Sequence, residues 1–229
     1  IPVLFRPLHE ASGGWFWWGA KGAEPCKALW RLMYDRLVNY HKLKNLIWVW
    51  TTDAAPDNLD WYPGDEYVDI LGADIYAATG DFSSQVLTYN SIKDMFGGKK
   101  LITLSENGPV PDPDNLVTDK AGWSWFMPWY GYFIRDGIVN PLSHWQKVMN
   151  HEYVVTLDEM PDLKNYPLSD EPDYSMYPQG FFLAGWEPRT TTSPEYNDVP
   201  TMTDPVTVAI TIDFADTITK IPGYVFGDN

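Results

Sequence analysis

Along the first 150 residues, short runs of aliphatic, β-branched and aromatic residues alternate with segments of helical periodicity. This alternation constrains the fold more than any other feature of the chain. Runs at 3–8, 46–50, 67–76, 101–106 and 123–129 predict five buried strands. The segment 25–40 begins with a proline and carries Leu29, Leu32, Met33, Leu37 and Val38 on one side, the pattern of an amphipathic helix. Further helices are predicted over 84–96, stopped by Gly97-Gly98, and over 141–150. Strands joined through helices must run parallel, because a parallel pair needs a long crossover. No glycine-rich phosphate loop follows any strand, which argues against a nucleotide-binding, doubly wound sheet.

Two of the runs lead into a glutamate: Arg6-Pro7-Leu8-His9-Glu10 after the first and Ser105-Glu106-Asn107-Gly108 at the end of the fourth. Each carboxylate is expected at the C-terminal end of a parallel strand, where (β/α)8 barrels carry their chemistry, so a TIM barrel is favoured over an open sheet. One such glutamate means little, since it can cap a helix or pair with an arginine. Two among polar and aromatic neighbours suit glycoside hydrolysis. In that reaction one carboxyl protonates the leaving oxygen and another acts at the anomeric carbon, the pair standing about 5–5.5 Å apart in retaining enzymes.

Composition narrows the partners. A net charge of −15, from 16 basic and 31 acidic residues, disfavours nucleic acid and anionic membrane surfaces and is indifferent to a neutral polysaccharide. Twelve Trp and fourteen Tyr supply core, and also flat faces on which the apolar side of a sugar ring can rest. The single Cys26 is expected to be a buried apolar filler. His41, His144 and His151 share no ligand spacing with it, so they are read as surface histidines and no metal is expected. Within the proline- and aspartate-rich loop 108–119, the stretch 112–119 is read as a solvated acidic loop rather than a calcium loop. No cofactor is implied.

The residues around both glutamates resemble glycoside hydrolase family 26, the β-mannanase family. Arg6 to Glu10 with Gly14-Trp15-Phe16-Trp17-Trp18-Gly19 resembles its acid/base segment, and Leu104-Ser105-Glu106-Asn107-Gly108 its nucleophile strand. Residues 61–76, ending in Gly72-Ala73-Asp74-Ile75-Tyr76, resemble its sixth strand, and Trp125-Phe126-Met127-Pro128-Trp129 its eighth. The resemblance implies a (β/α)8 barrel that cleaves a β-linked glycan with retention, Glu10 as acid/base and Glu106 as nucleophile. The implied substrate is β-1,4-mannan, with β-1,3-xylan or mixed-linkage β-glucan as alternatives. It further implies Tyr76 as a hydrogen-bond donor to Glu106, His9 as a substrate contact and Trp15 as a sugar platform. Arg6 is expected to hold a carboxylate, and Trp50, Asp74 and Trp129 to line the cleft from strand ends. A carbohydrate-binding protein without turnover would need the aromatic cleft but not both glutamates.

Residues 1–165 are therefore read as the C-terminal part of the barrel, from about strand 4 to strand 8. Residues 166–204, rich in Pro, Asp, Ser, Thr and Tyr, are read as a linker, and 205–229 as the start of a β-rich module. Five strands would leave unpaired edges, so a companion chain or segment carrying strands 1–3 is expected. A secreted, cell-surface or periplasmic location is expected for an enzyme of this kind.

Overall fold

The computed structural model describes residues 2–52 and 57–162, and the predicted linker and β-rich module lie outside these residues. Four strands, β1 (Val3–Phe5), β2 (Leu46–Thr52), β3 (Ile70–Ile75) and β4 (Leu101–Asn107), form one parallel sheet in the order of the chain. Neighbours in sequence are neighbours in space, with Phe5 beside Trp48, Trp50 beside Leu71 and Ile70 beside Leu101. A doubly wound sheet reverses its order at a switch point; this one does not, as befits part of a (β/α) barrel wall.

Helix α1 (Ala23–Tyr34) crosses from β1 to β2 and continues as a π-helical turn over Asp35–Tyr40. Short α2 (Asn58–Trp61) precedes β3, and α3 (Val86–Met95) returns the chain to β4. After β4 come α4 (Pro113–Asp119), α5 (Tyr132–Arg135) and α6 (Leu142–Met149). The core lies between sheet and helices: Trp48 packs against Trp30 and Tyr34 of α1, and Leu71, Ile92, Ile102 and Leu104 continue the layer. Cys26 is buried on α1 as expected. No helix among the described residues is long and apolar enough to cross a membrane.

Several expectations are corrected. The first strand stops at Phe5 rather than residue 8, because Leu8 and Glu10 take left-handed backbone angles (φ 52° and 51°) that no strand accommodates. It is also not buried: Val3 and Leu4 are 43% and 53% exposed, since among the described residues nothing pairs with its outer edge. The third strand begins at Ile70, and Asp65–Tyr67 forms a 3-10 turn. The stretch 123–129 is no strand; it runs beside β4 through scattered bonds and one parallel bridge, Asn107 to Pro128, where the proline has no N–H to extend a ladder. The acidic loop contains α4, capped by the Asp112 carboxylate, which accepts from Asp114 N (2.9 Å), with Pro113 in the first turn. His144 is buried, with Nε2 2.7 Å from Val110 O and its ring stacked on Phe82, so it is a structural histidine and not a surface one.

Candidate active site

The pairing of β3 with β4 is regular up to Ala73 and Leu104, then slips: Asp74 pairs with Glu106, and Ser105 is skipped. Strand side chains alternate between faces, so a one-residue bulge lets two successive residues serve the same site. Here Ser105 Oγ donates to Asp74 Oδ1 (2.7 Å), and Glu106 receives Arg6 and Tyr76. Gly72 makes room for this, because a Cβ there would run into the Ser105 side chain and approach Thr51 Oγ1.

Glu106 is almost fully buried, and its two oxygens have different partners. Oε1 pairs with Arg6 Nη2, and Oε2 accepts from the Tyr76 hydroxyl at 2.7 Å. Burial and this bond push the Tyr76 hydroxyl far above its ordinary pKa, which keeps it protonated and donating. The other guanidinium nitrogen of Arg6 bonds Asp74 (3.1 Å to Oδ2) and Thr51 Oγ1 (3.3 Å). Burial pushes the Asp74 carboxyl up to about 7, against the pull of Arg6 and Ser105.

Glu10 approaches from a different kind of structure. It precedes a 3-10 turn (Ala11–Gly13) in a left-handed conformation, and Trp15 Nε1 donates to its Oε2 at 3.2 Å. Carboxylate oxygens of Glu10, Asp74 and Glu106 lie within 4.8 Å of one another. Three carboxylates so close could share a divalent ion, but the Arg6 guanidinium already supplies positive charge to two of them. The Glu10 to Glu106 approach fits the spacing of a retaining carboxylate pair.

His9 packs beside Phe16 and Trp18, which stack on each other at 4.3 Å, and its backbone oxygen accepts from Trp18 Nε1 (2.9 Å). Its Nε2 is 3.8 Å from Glu106 Oε1. Burial, assisted by Arg6, holds the imidazole below its usual pKa, which favours the neutral ring at neutral pH. Trp15 is 66% exposed beside Glu10, a free aromatic face at the site. On the side of Tyr76, a groove of about 590 Å³ is lined by Tyr76, Thr79, Trp129, Tyr132, Phe133 and Val139.

The structure thus brings together Arg6, His9, Glu10, Trp15, Asp74, Tyr76 and Glu106, with Trp129 in the adjoining groove. Trp50 does not belong. It is 5% exposed and packs edge-on against Tyr62 and Phe96, because its place in the alternation of β2 sends it to the helix layer while Thr51 faces Arg6. Asp74, its side chain 5% exposed, partners Arg6 and Ser105, with a carboxylate oxygen within 4.8 Å of those of Glu10 and Glu106. Arg6 serves Glu106 and Asp74 rather than its near neighbour Glu10. Thr51 and Ser105 escaped the sequence reading; only the adjacency of Ser105 to Glu106 could have flagged either.

Residues 1–159 match the family model described as glycosyl hydrolase family 26. The chain is 50% identical over 161 residues to a mannan endo-1,4-beta-mannosidase of Thermothelomyces thermophilus, the match covering 70% of this chain and 32% of that protein. It is 40% identical over 161 residues to mannan endo-1,4-beta-mannosidase A of a Piromyces species, covering 70% and 25%. The chain therefore spans about a third or less of the length of these relatives. Among solved structures it superposes on the Podospora anserina GH26-CBM35 beta-(1,4)-mannanase with a TM-score of 0.66 at 46% identity, covering 71% of this chain and 35% of that one. It superposes on a beta-mannanase from a symbiotic protist of the termite Reticulitermes speratus, complexed with gluco-manno-oligosaccharide, with a TM-score of 0.65 at 48% identity, covering 70% and 49%. With this match laid over a parallel sheet at whose end Glu106 meets Glu10, the chain belongs to glycosyl hydrolase family 26.

Proposed function

We propose that the chain carries the catalytic half of an endo-β-1,4-mannanase that cleaves mannan with retention. The observation that carries this reading is the approach of Glu10 and Glu106, one reachable from the cleft and the other buried and held by Arg6 and Tyr76. In the first step the Glu106 carboxylate attacks the anomeric carbon while Glu10 gives its proton to the departing glycosidic oxygen, leaving a glycosyl ester on Glu106. In the second, Glu10 takes a proton from water, the hydroxide equivalent attacks the same carbon, and the Glu106 carboxylate leaves.

The hydrogen bond from Tyr76 and the ion pair with Arg6 fix which oxygens of Glu106 are engaged, so attack needs no reorientation of a buried charge. Neutral His9, Trp15 and the Trp129 groove are the sugar contacts in this reading. The four strands would be four consecutive strands of the barrel wall beginning at about the fourth, with the 123–129 segment at the place of the eighth. A companion segment would complete the wall beyond β1, where Val3 and Leu4 present an open edge. A polymeric substrate and the strong negative charge support action outside the cell.

The test is reducing-sugar release from soluble β-mannan by the 229-residue chain, alone and co-expressed with the part of the Thermothelomyces relative outside the matched segment. Release that Glu106→Ala lowers by more than about 10³-fold is the expected result. Release from β-1,3-xylan or mixed-linkage β-glucan in place of mannan would overturn the substrate, and no release from any of the three by a folded pair would overturn the hydrolase reading.

A further inference from the structure

Two buried asparagines close the structure behind the nucleophile. Asn107 ends β4, and its backbone bonds the neighbouring segment twice, Asn107 N to Met127 O (3.0 Å) and Trp129 N to Asn107 O (2.9 Å). Its side chain adds three contacts: Oδ1 accepts from Met127 N (2.8 Å), and Nδ2 donates to Pro109 O (3.0 Å) and Gly108 O (3.4 Å). Asn140 reaches the same Gly108 carbonyl from a separate segment, donating to it at 3.0 Å and to Phe133 O at 2.9 Å, while its Oδ1 accepts from Val110 N (2.7 Å). Both residues are 1% exposed, and the polar atoms of both side-chain amides are engaged.

What these amides hold leads back to the reacting carboxylate. Gly108 N donates to Ile75 O (3.1 Å), which ties the junction to the end of β3 just before Tyr76. A Cβ at Gly108 would lie 3.2 Å from Phe133 Cε1, so the ring sits directly on this glycine. Phe133 also meets the Tyr132 ring (4.1 Å between centroids) and the Tyr76 ring (5.4 Å), and the Tyr76 hydroxyl is the donor to Glu106. We infer that Asn107 and Asn140 are positioning residues: by gripping the Gly108 carbonyl and the backbone of 127–133 they seat Phe133 against Tyr76 and so aim the Tyr76 hydroxyl at Glu106. Buried networks of fully engaged amides suit such a task, since they admit one arrangement and penalise others.

The inference rests on the hydrolase reading for its kinetic arm but not for its spectroscopic one. In the kinetic arm, Asn140→Leu and Tyr76→Phe are made singly and together and assayed on β-mannan. Each single change should lower kcat about tenfold or more with KM within about twofold, and the double variant should be no more than about twofold below Tyr76→Phe alone. Single effects that multiply in the double variant would overturn the inference, as would an Asn140→Leu protein that melts earlier but turns over normally. In the spectroscopic arm, the Cζ carbon-13 resonance of Tyr76, assigned by its loss in Tyr76→Phe, should move in Asn140→Leu. Phe133→Leu, which leaves both amides intact, should move it the same way and serves in both arms if Asn140→Leu does not fold. An unmoved resonance overturns the inference even where wild-type protein releases no sugar, an outcome that would count against the hydrolase reading alone.

Discussion

The two halves of the site are built by opposite means. Glu106 stands in a strand buried from Ile102 onward, bonded on both sides, with Arg6 and Tyr76 on its two oxygens. Glu10 stands five residues past a three-residue edge strand, in a backbone conformation that costs a non-glycine residue about 1 kcal/mol, with one hydrogen bond from an exposed tryptophan. Rigid burial suits a group that must meet one carbon at one angle. A proton donor that turns into a base must reach first a leaving oxygen and then a water, and a strained, open turn suits that exchange.

Arg6 is where the contrast can be broken most severely, because it starts in the open half and ends in the buried one. Arg6→Met should leave Glu106 and Asp74 facing each other without a cation, costing about 3–5 kcal/mol of stability. Urea denaturation measures this, and a loss below 1 kcal/mol would mean that the buried half does not depend on its ion pairs. Asp74 gives a pH signature. Its pKa rises from 3.8 to about 7 on folding, so the folded protein binds the proton more readily, and stability from this group is full below about pH 4 and lost as pH climbs through 7. Asp74→Asn should flatten the fall in Tm between pH 4 and 7; an unchanged slope would assign the fall to other groups. The smallest effect lies in the open half: Glu10→Gly should be more stable than Glu10→Ala by about 1 kcal/mol, since both remove the carboxylate and glycine alone accepts φ of 51° freely. Equal stabilities would show that the turn relaxes when its side chain is cut.

Periodicity located the parallel strands and main helices to within a few residues because core burial enforces it. It failed where backbone geometry or strand parity decided. Nothing in Leu8-His9-Glu10 announces two left-handed residues, which break the extended chain expected as far as residue 8. Trp50 ends the apolar run 46–50 and is attractive as a cleft residue, yet the strand continues to Thr52 and one step of alternation puts it among Tyr62 and Phe96. Pro128 stops a strand that composition predicted, and the Asp112-Pro113 cap was hidden in a stretch whose acidity read as loop. The pair Glu10 and Glu106 was marked by strand-to-glutamate junctions that are local in sequence, whereas Tyr76, Trp15 and the two glutamates' separate roles came from the family resemblance. Asn140 was marked by neither, since its partners at 108, 110 and 133 converge only in space.

The skipped residue in β4 has a consequence for how this site tolerates change. Ser105 is an extra residue between the pairing of Ala73 with Leu104 and that of Asp74 with Glu106. Deletion of 105 would bring the ladder back into step with the glutamate still opposite Asp74 and on the site face, so what the extra residue adds is the Ser105 hydroxyl on Asp74, a second residue serving the same site. Loss of Ser105 by substitution or by deletion therefore removes the same thing, the hydrogen bond on Asp74, and leaves Glu106 on the face that carries the site.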